Sequence, residues 1–415
     1  MNSKIAAKKE TAVQSPPRIT VLDIFLASIK LGLTSFGGPV AHLGYFHQEY
    51  VVRRKWIEEK AYADLVALCQ FLPGPASSQV GIGIGLRCAG LMGAIAAWIG
   101  FTLPSVLLLG LFAIAVQRMN VSEALWLHGL KLTAVAIVAQ AVWSMGVKLA
   151  ATRKQAAIAL GAAGVALLWP GTFSQVGVIT AAALLGLFLH RHETTAESIN
   201  PVAAAKWRKA PSYRQSIIYI GLYFTLLLLL PMLNQWSSSG WLSLIDGFYR
   251  AGSLVFGGGH VVLPLLQEEV VAHGWVSQSD FIAGYGAAQA VPGPLFTFAS
   301  YLGAIYGGVP GLAIATIAIF LPAFLLVAGV LPLWDRLSSS IAMQRALQGI
   351  HAAVVGILLA ALYDPIWIGT VSNATDFVIV LCLFAMLVIW KLPPWCAVIA
   401  GAAAGILTQM LVYSS

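Results

Sequence analysis

The chain has 415 residues, of which 59% are hydrophobic and only 10% are charged, and its formal net charge is +8. This balance leaves too little polar surface for a soluble body, so the composition indicates a polytopic membrane protein whose surroundings are the lipid bilayer. The positive charge does not indicate a nucleic-acid partner. Many Lys and Arg residues cluster in the N-terminal tail, at 53–55 and between 148 and 214, as topology signals do.

Apolar segments follow one another along the chain. A transmembrane helix needs roughly 20 apolar residues, and the length of each segment is compared with this value. After a cytoplasmic tail at 1–20, the first membrane unit, 21–190, has six: 21–36, 62–86, 91–117, 124–148, 155–169 and 173–190. The region 191–240 combines a basic cytoplasmic linker with one linking helix, 215–234. The second unit, 241–415, has six more: 242–257, 281–306, 309–332, 343–363, 376–391 and 394–412. The expected fold is all-α with thirteen spans.

Two signatures of the first unit return in the second. Phe36-Gly37-Gly38 returns as Phe256-Gly257-Gly258, and the block from Gln70 to Pro75 returns as the block from Gln289 to Pro294. Because six helices and one linking helix separate the copies, the second unit should enter the membrane in the opposite sense. Inverted repeats are typical of secondary transporters, whose substrate site lies at the repeat interface and is built by interrupted helices.

The two Pro-Gly-Pro blocks are predicted to break their helices inside the membrane. Proline disfavours helix at the residue before it and suits the first turn of a new helix, while glycine accepts unusual backbone angles. The free amides of such a helix start favour an anion, and nearby hydroxyls can add donors. The other interpretation is a kink in a packed helix, which the duplication disfavours. The candidate anion-binding residues are Gly37, Gly38, Gln70, Pro73, Gly74, Pro75 and Ser77, with Gly257, Gly258, Gln289, Pro292, Gly293, Pro294 and Thr297 in the second copy.

Two cations occupy the same place in both units, since Lys30 and Arg250 each lie six residues before the Phe-Gly-Gly signature. A cation inside the membrane costs about 2.5 to 3.5 kcal/mol, so a duplicated one is a candidate for substrate binding. The alternatives are a side chain that reaches the interface and a structural ion pair, because Asp246 lies one helical turn before Arg250.

Acidic and histidine residues between the signatures are candidates for proton coupling. Glu49 and Glu268 are placed as equivalents, with His42 and His260 close by. The alternative is that Glu49 only neutralises the basic run at 53–55.

Positive charge sets the expected orientation, with the N-terminus in the cytoplasm and the C-terminus outside. Arg53-Arg54-Lys55 is the exception, because it falls outside unless the 39–56 segment folds back.

The paired signatures, in this order over nearly all of the chain, resemble the long-chain, two-domain members of the chromate ion transporter family. The resemblance implies export of chromate from the cytoplasm across the bacterial inner membrane, and hence chromate resistance, with sulfate as a related oxyanion. The two copies differ at the residue after the signature, which is Pro39 in the first unit and Gly259 in the second. The roles that the resemblance implies therefore apply best to the duplicated glycines and to the Pro-Gly-Pro residues.

Other functions have less support. The sequence contains no nucleotide-binding loop, metal-spaced His/Cys set or haem motif, so neither an enzyme nor a cofactor nor a metal is expected. An anion channel is the nearer rival, because channels also use inverted repeats and broken helices. Small-residue spacings such as Gly81-x-x-x-Gly85 indicate close helix packing and permit a homodimer without showing one.

Overall fold

The computed structural model describes residues 19–36, 38–118, 125–169, 172–189, 212–237, 239–256, 259–334 and 340–413. Nearly all of the predicted N-terminal tail, most of the basic linker, and Gly37, Gly257 and Gly258 lie outside these ranges. Within them the chain forms helices and no strand, which confirms the all-α prediction.

The first half contains eight helices in the described ranges. They are α1 (Val21–Thr34), α2 (Gly38–Phe46, continued by the π-helical turn His47–Arg53), α3 (Glu59–Phe71), α4 (Ala76–Ala89), α5 (Leu91–Arg118), α6 (Leu125–Leu149), α7 (Arg153–Leu168) and α8 (Thr172–Leu189). The predicted linking helix is α9 (Tyr213–Trp236). Ser212 caps its start, because the Ser212 hydroxyl accepts from the Gln215 amide and the Gln215 side chain accepts from the Ser212 amide.

The second half follows the same order. Its helices are α10 (Gly240–Leu254), α11 (Val262–Val270, after the 3₁₀ turn Gly259–Val261), α12 (Gln278–Ala290), α13 (Phe298–Val330, after the 3₁₀ turn Leu295–Thr297), α14 (Ile341–Ala361), α15 (Ala374–Val388) and α16 (Pro394–Tyr413). Backbone angles at Gly307 and Gly308 are not helical, so α13 is two helices joined at this point.

The Pro-Gly-Pro blocks reverse the chain, whereas the sequence predicted helices that break and continue as single spans at 62–86 and 281–306. A Cβ atom built on Gly83 of α4 would lie 2.6 Å from Leu65 Cδ1 of α3. In a straight helix these residues would be about 27 Å apart. In the second copy, the Tyr301 hydroxyl donates to the Asp280 carbonyl at 3.1 Å. Each block is therefore the tip of a helical hairpin, here called a PGP tip (72–75 and 291–294).

The segments around the Phe-Gly-Gly signatures also fold back on themselves. Ser28 and Tyr50 share a hydrogen bond of 2.9 Å, and Lys30 Nζ lies 3.0 Å from Glu49, which joins α1 to the 47–53 turn. In the second half, Arg250 of α10 lies 2.9 Å from Glu269 of α11. The 39–56 segment therefore folds back, and the basic run at 53–55 returns to the same end as the start of α1, where Arg54 interacts with Asp23.

Small residues bring neighbouring helices into close contact. A Cβ atom added to Gly85 of α4 would collide with the backbone of Gly93 of α5, and Gly303 and Gly311 make the same contact in the second half. These small faces are therefore occupied within the chain.

The two halves are intertwined. Helix α6 packs against α15 and α16 of the second half, while its counterpart α14 packs against α7 and α8 of the first. In the described residues, five segments are long and apolar enough to cross a bilayer: Leu91–Arg118, Trp126–Leu149, Tyr213–Trp236, Leu295–Leu333 and Ile341–Asp364. The fourth contains the reversal at Gly307 and Gly308, so only its part after this point is one long helix. The chain is a multi-pass membrane protein.

Candidate functional site

Each PGP tip contacts the residue before the Phe-Gly-Gly signature of the other half. The Gly293 amide donates to the Ser35 carbonyl at 2.9 Å, and the Gly74 amide donates to the Val255 carbonyl at 2.7 Å. The structure thus pairs each PGP tip with a residue of the opposite half, in two equivalent contacts that we call the crossed pairs.

Glycine is required at both PGP tips. The backbone angle φ is +121° at Gly74 and +106° at Gly293, a region that residues with a Cβ rarely adopt. Space is also restricted, because a Cβ on Gly293 would collide with Ser105 Oγ, and one on Gly74 would lie 2.9 Å from Gln79 Nε2. The same two side chains fix the tips, since Ser105 donates to the Pro292 carbonyl at 2.7 Å and Gln79 donates to the Pro73 carbonyl at 2.8 Å.

A small cavity lies at the crossed pair of Ser35 and Gly293. Its volume is about 20 Å³, and its lining includes Gly38, His42, His260, Gln289, Gly293 and Pro394. This volume suits about one water molecule and is smaller than a tetrahedral oxyanion. The structure therefore has this site closed.

Three helix starts line this cavity. Helix α2 begins at Gly38, α16 begins at Pro394, and the helical segment after Gly293 begins at Leu295. Each helix start carries roughly half a positive charge on its free amides, so their convergence favours an anion. The contribution of Pro394 was missed from the sequence, because nothing in its local pattern shows that α16 begins beside a hairpin tip about 100 residues earlier in the chain.

The other predicted site residues lie in different parts of the structure. Pro73, Gly74 and Pro75 belong to the second crossed pair, and Gly74 does not line the described cavity. Ser77 Oγ lies 3.3 Å from His42 Nδ1, which links this pair to the cavity. Thr297 donates to the Pro294 carbonyl at 2.6 Å, so its hydroxyl proton stabilises the turn. Gln70 is exposed at the end of α3.

The duplicated cations are both held by carboxylates. Glu49 binds Lys30 at 3.0 Å, Arg53 at 3.0 Å and Arg54 at 2.7 Å. Arg250 lies 2.9 Å from Glu269 and 3.4 Å from Asp246. These contacts match the ion-pair interpretation, and neither cation lines the described cavity.

The ion pairs also correct the alignment of the two halves. The cation and its carboxylate are 19 residues apart in both copies, at Lys30 and Glu49 and at Arg250 and Glu269. By this spacing the carboxylate that matches Glu49 is Glu269, whereas the sequence pattern placed its neighbour Glu268 as the equivalent. The repeated Gln-Glu dipeptide suggested Glu268, whereas the constant spacing from the cation would have identified its neighbour.

Neither the groove between α7 and α8 nor a cluster of metal-ligating side chains provides a second candidate site among the described residues. A groove of about 600 Å³ lies between α7 and α8, but its lining is almost wholly apolar and contains none of the predicted site residues. In the described ranges, no group of three or more His, Cys, Asp or Glu side chains is placed to hold a metal ion.

Comparison with known proteins identifies the family. The model of the chromate transporter family matches residues 22–187 and matches again at residues 242–406. The chain belongs to the chromate transporter family. It is therefore a membrane transporter and not an enzyme, and both matched segments contain one Phe-Gly-Gly signature and one PGP tip.

Relatives in this family align over most of their length. A chromate transport protein of Pseudomonas aeruginosa is 28% identical over 370 residues, which cover 86% of this chain and 84% of the relative. One from Cupriavidus metallidurans is 27% identical over 361 residues, with 84% of each chain covered. An uncharacterised transporter of Methanocaldococcus jannaschii is 28% identical over 345 residues, or 82% of this chain and 83% of the relative. No solved structure matches the chain significantly.

Proposed function

We propose that this chain is a secondary transporter that exports chromate from the cytoplasm across a bacterial inner membrane and thereby confers chromate resistance. The observation that carries the proposal is the closed cavity at the Ser35–Gly293 crossed pair, where three helix starts converge. Membership of the family and the chromate transport proteins among the relatives support chromate as the substrate.

The crossed pair offers a way to bind the anion. In the closed structure, the Gly293 amide donates to the Ser35 carbonyl at 2.9 Å. An entering oxyanion replaces this carbonyl as the acceptor, and the starts of α2 and α16 add positive potential from other directions. Because the carbonyl and the anion compete for one donor, binding and separation of the tips occur together.

Alternating access follows from the direction of the hairpins. With the N-terminus in the cytoplasm, the tips of the first half enter from the cytoplasmic side and those of the inverted second half from outside. Separation of the tips towards one side or the other exposes the cavity to one compartment at a time. Lys30 and Arg250 do not contact the anion. They lie in α1 and α10, and their ion pairs hold the folded segments around the Phe-Gly-Gly signatures in position.

Sulfate is the closest alternative substrate, because it is also a divalent tetrahedral oxyanion and the amides would bind either. A channel is a second alternative.

Flux measurements test the proposal. The protein is reconstituted in vesicles of known orientation, with membrane potential and pH gradient clamped separately, and chromate and sulfate fluxes are followed. We expect saturable chromate flux that accumulates the anion against its gradient, while vesicles without protein show none. Flux that only dissipates a gradient would indicate a channel, and sulfate flux without chromate flux would reassign the substrate.

A further inference from the structure

Among the described residues, the cavity at the Ser35–Gly293 crossed pair has two histidines as its only titratable lining residues. His42 and His260 come from the segments that fold back after the Phe-Gly-Gly signatures of opposite halves, here called the Phe-Gly-Gly hairpins. The rest of this lining is glycine, proline, aliphatic residues and Gln289. His42 is only 2% exposed. Any side-chain charge from this lining that balances an anion must therefore come from the two imidazoles.

The permanent cations do not provide this balance. Lys30 and Arg250 bind Glu49 and Glu269, and neither lines the described cavity. Three helix starts supply roughly half a charge each, which is less than the two charges of chromate or sulfate. Charge left unbalanced in a buried site costs several kcal/mol, so a protonated imidazole would stabilise the bound dianion.

No carboxylate faces either ring among the described contacts. His42 Nδ1 lies 3.3 Å from Ser77 Oγ, its ring meets Phe101 edge-on at 5.5 Å, and the Ser35 backbone lies within reach. His260 Nδ1 lies 2.6 Å from the hydroxyl of Tyr285, whose ring also packs against it. Tyr285 is the one other titratable group in these contacts, and it is neutral near neutral pH. An anion in the cavity is therefore the partner that would favour an imidazolium.

We propose that oxyanion binding in this cavity is linked to the uptake of one proton by the pair His42 and His260. The inference rests on the proposed function, because it concerns the same anion site. The proton comes from water and binds a ring nitrogen, and no bond of the anion is broken. Since linkage is reciprocal, lower pH strengthens anion binding and the bound anion retains the proton.

Binding of chromate to the purified full-length protein tests the linkage. Dissociation constants are measured between about pH 5 and 8, where histidine titrates, for the wild type, His42→Gln and His260→Gln. Chromate changes its own protonation in this range, but equally for every variant, so the informative quantity is the ratio of variant to wild-type Kd. His47→Gln is the matched control, because His47 belongs to the same hairpin but pairs with Glu59 outside the cavity.

We expect the Kd ratio of at least one cavity variant to exceed about fivefold at the acid end, as for typical linked sites, and to fall as the pH rises while remaining above one. The control ratio stays near one throughout. As a second measurement, adding chromate to the wild type in weak buffer at the alkaline end, where chromate is fully divalent, should remove protons from solution.

Ratios that do not change with pH for either variant would overturn the linkage, as would binding without proton uptake. If a variant fails to fold, the proton count on the wild type alone decides. Absence of chromate binding by the folded wild type at every pH would contradict the proposed function instead.

Discussion

At the scale of residues, the tip glycines give the sharpest prediction. Gly74→Val and Gly293→Val should each reduce chromate transport, because φ is +121° and +106° at these positions and a Cβ meets Gln79 or Ser105. Backbone strain of this kind costs about 1 to 3 kcal/mol. Gly221→Val is the matched control, since a Cβ at Gly221 of α9 meets nothing within 4 Å. Transport is measured in vesicles at equal protein content. Full transport by both tip variants would contradict the role of the crossed pairs.

The ion pair of the second half gives a second residue-scale prediction. Glu269→Gln should destabilise the protein by about 1.5 to 3 kcal/mol, the value of a hydrogen bond to a charged group, because buried Glu269 binds Arg250 at 2.9 Å. Glu268→Gln is the adjacent control and should have a much smaller effect. Thermal unfolding in detergent reports both. Equal loss in the two variants would show that the constant 19-residue spacing does not identify the equivalent of Glu49.

At the scale of elements, the structure replaces two predicted spans by hairpins. Helix α3 has 13 residues and α4 has 14, so each is about 20 Å long against a hydrocarbon core of about 30 Å, and the two pack side by side, with Gly83 against Leu65. We therefore infer that α3 and α4 enter and leave the membrane on the same side, as do α12 and the start of α13.

Labelling of single cysteines tests these hairpins. In a variant without the native cysteines, Glu58→Cys and Leu91→Cys flank the first PGP hairpin, and Ala272→Cys and Val309→Cys flank the second. We expect a membrane-impermeant thiol reagent to reach the first two only from the cytoplasmic side and the last two only from outside. Labelling of positions 58 and 91 from opposite sides would contradict the hairpin and would support the single span predicted at 62–86.

At the scale of the whole molecule, the hairpins change the number of crossings but not the inversion. We infer that four helices cross in each half, α5 to α8 and the second part of α13 with α14 to α16, which with α9 makes nine crossings among the described helices. Because each half crosses an even number of times, the single helix α9 still inverts the second half. The basic run at 53–55 now lies on the cytoplasmic side, so it agrees with the positive-inside rule.

Reporter fusions test this topology. A reporter that is active only outside the cytoplasm should be active after Ser415 and after Ser238, and a cytoplasmic reporter should be active after Asn200. Activity of one reporter type at both Asn200 and Ser415 would contradict the inverted arrangement.

The sequence by itself determined the class of protein, most of the helical segments, the duplication and the residues at the tips. These features depend on composition and on local preferences: apolar runs make membrane helices, and proline and glycine interrupt them wherever the chain goes next. Lys30 and Arg250 each lie six residues before the signature, and each forms an ion pair with a carboxylate 19 residues later.

Only the tertiary structure decided where the interrupted chain goes and what it meets. Whether the helix kinks or reverses at Gly74 depends on packing between distant residues, such as Leu65 against Gly83, and not on the Pro-Gly-Pro block alone. The crossed pairs, the choice of Glu269 over Glu268, and the arrival of Pro394 at the histidine-lined cavity all join residues that are remote in sequence. Local patterns do not specify such contacts, because they arise when the two halves pack into each other.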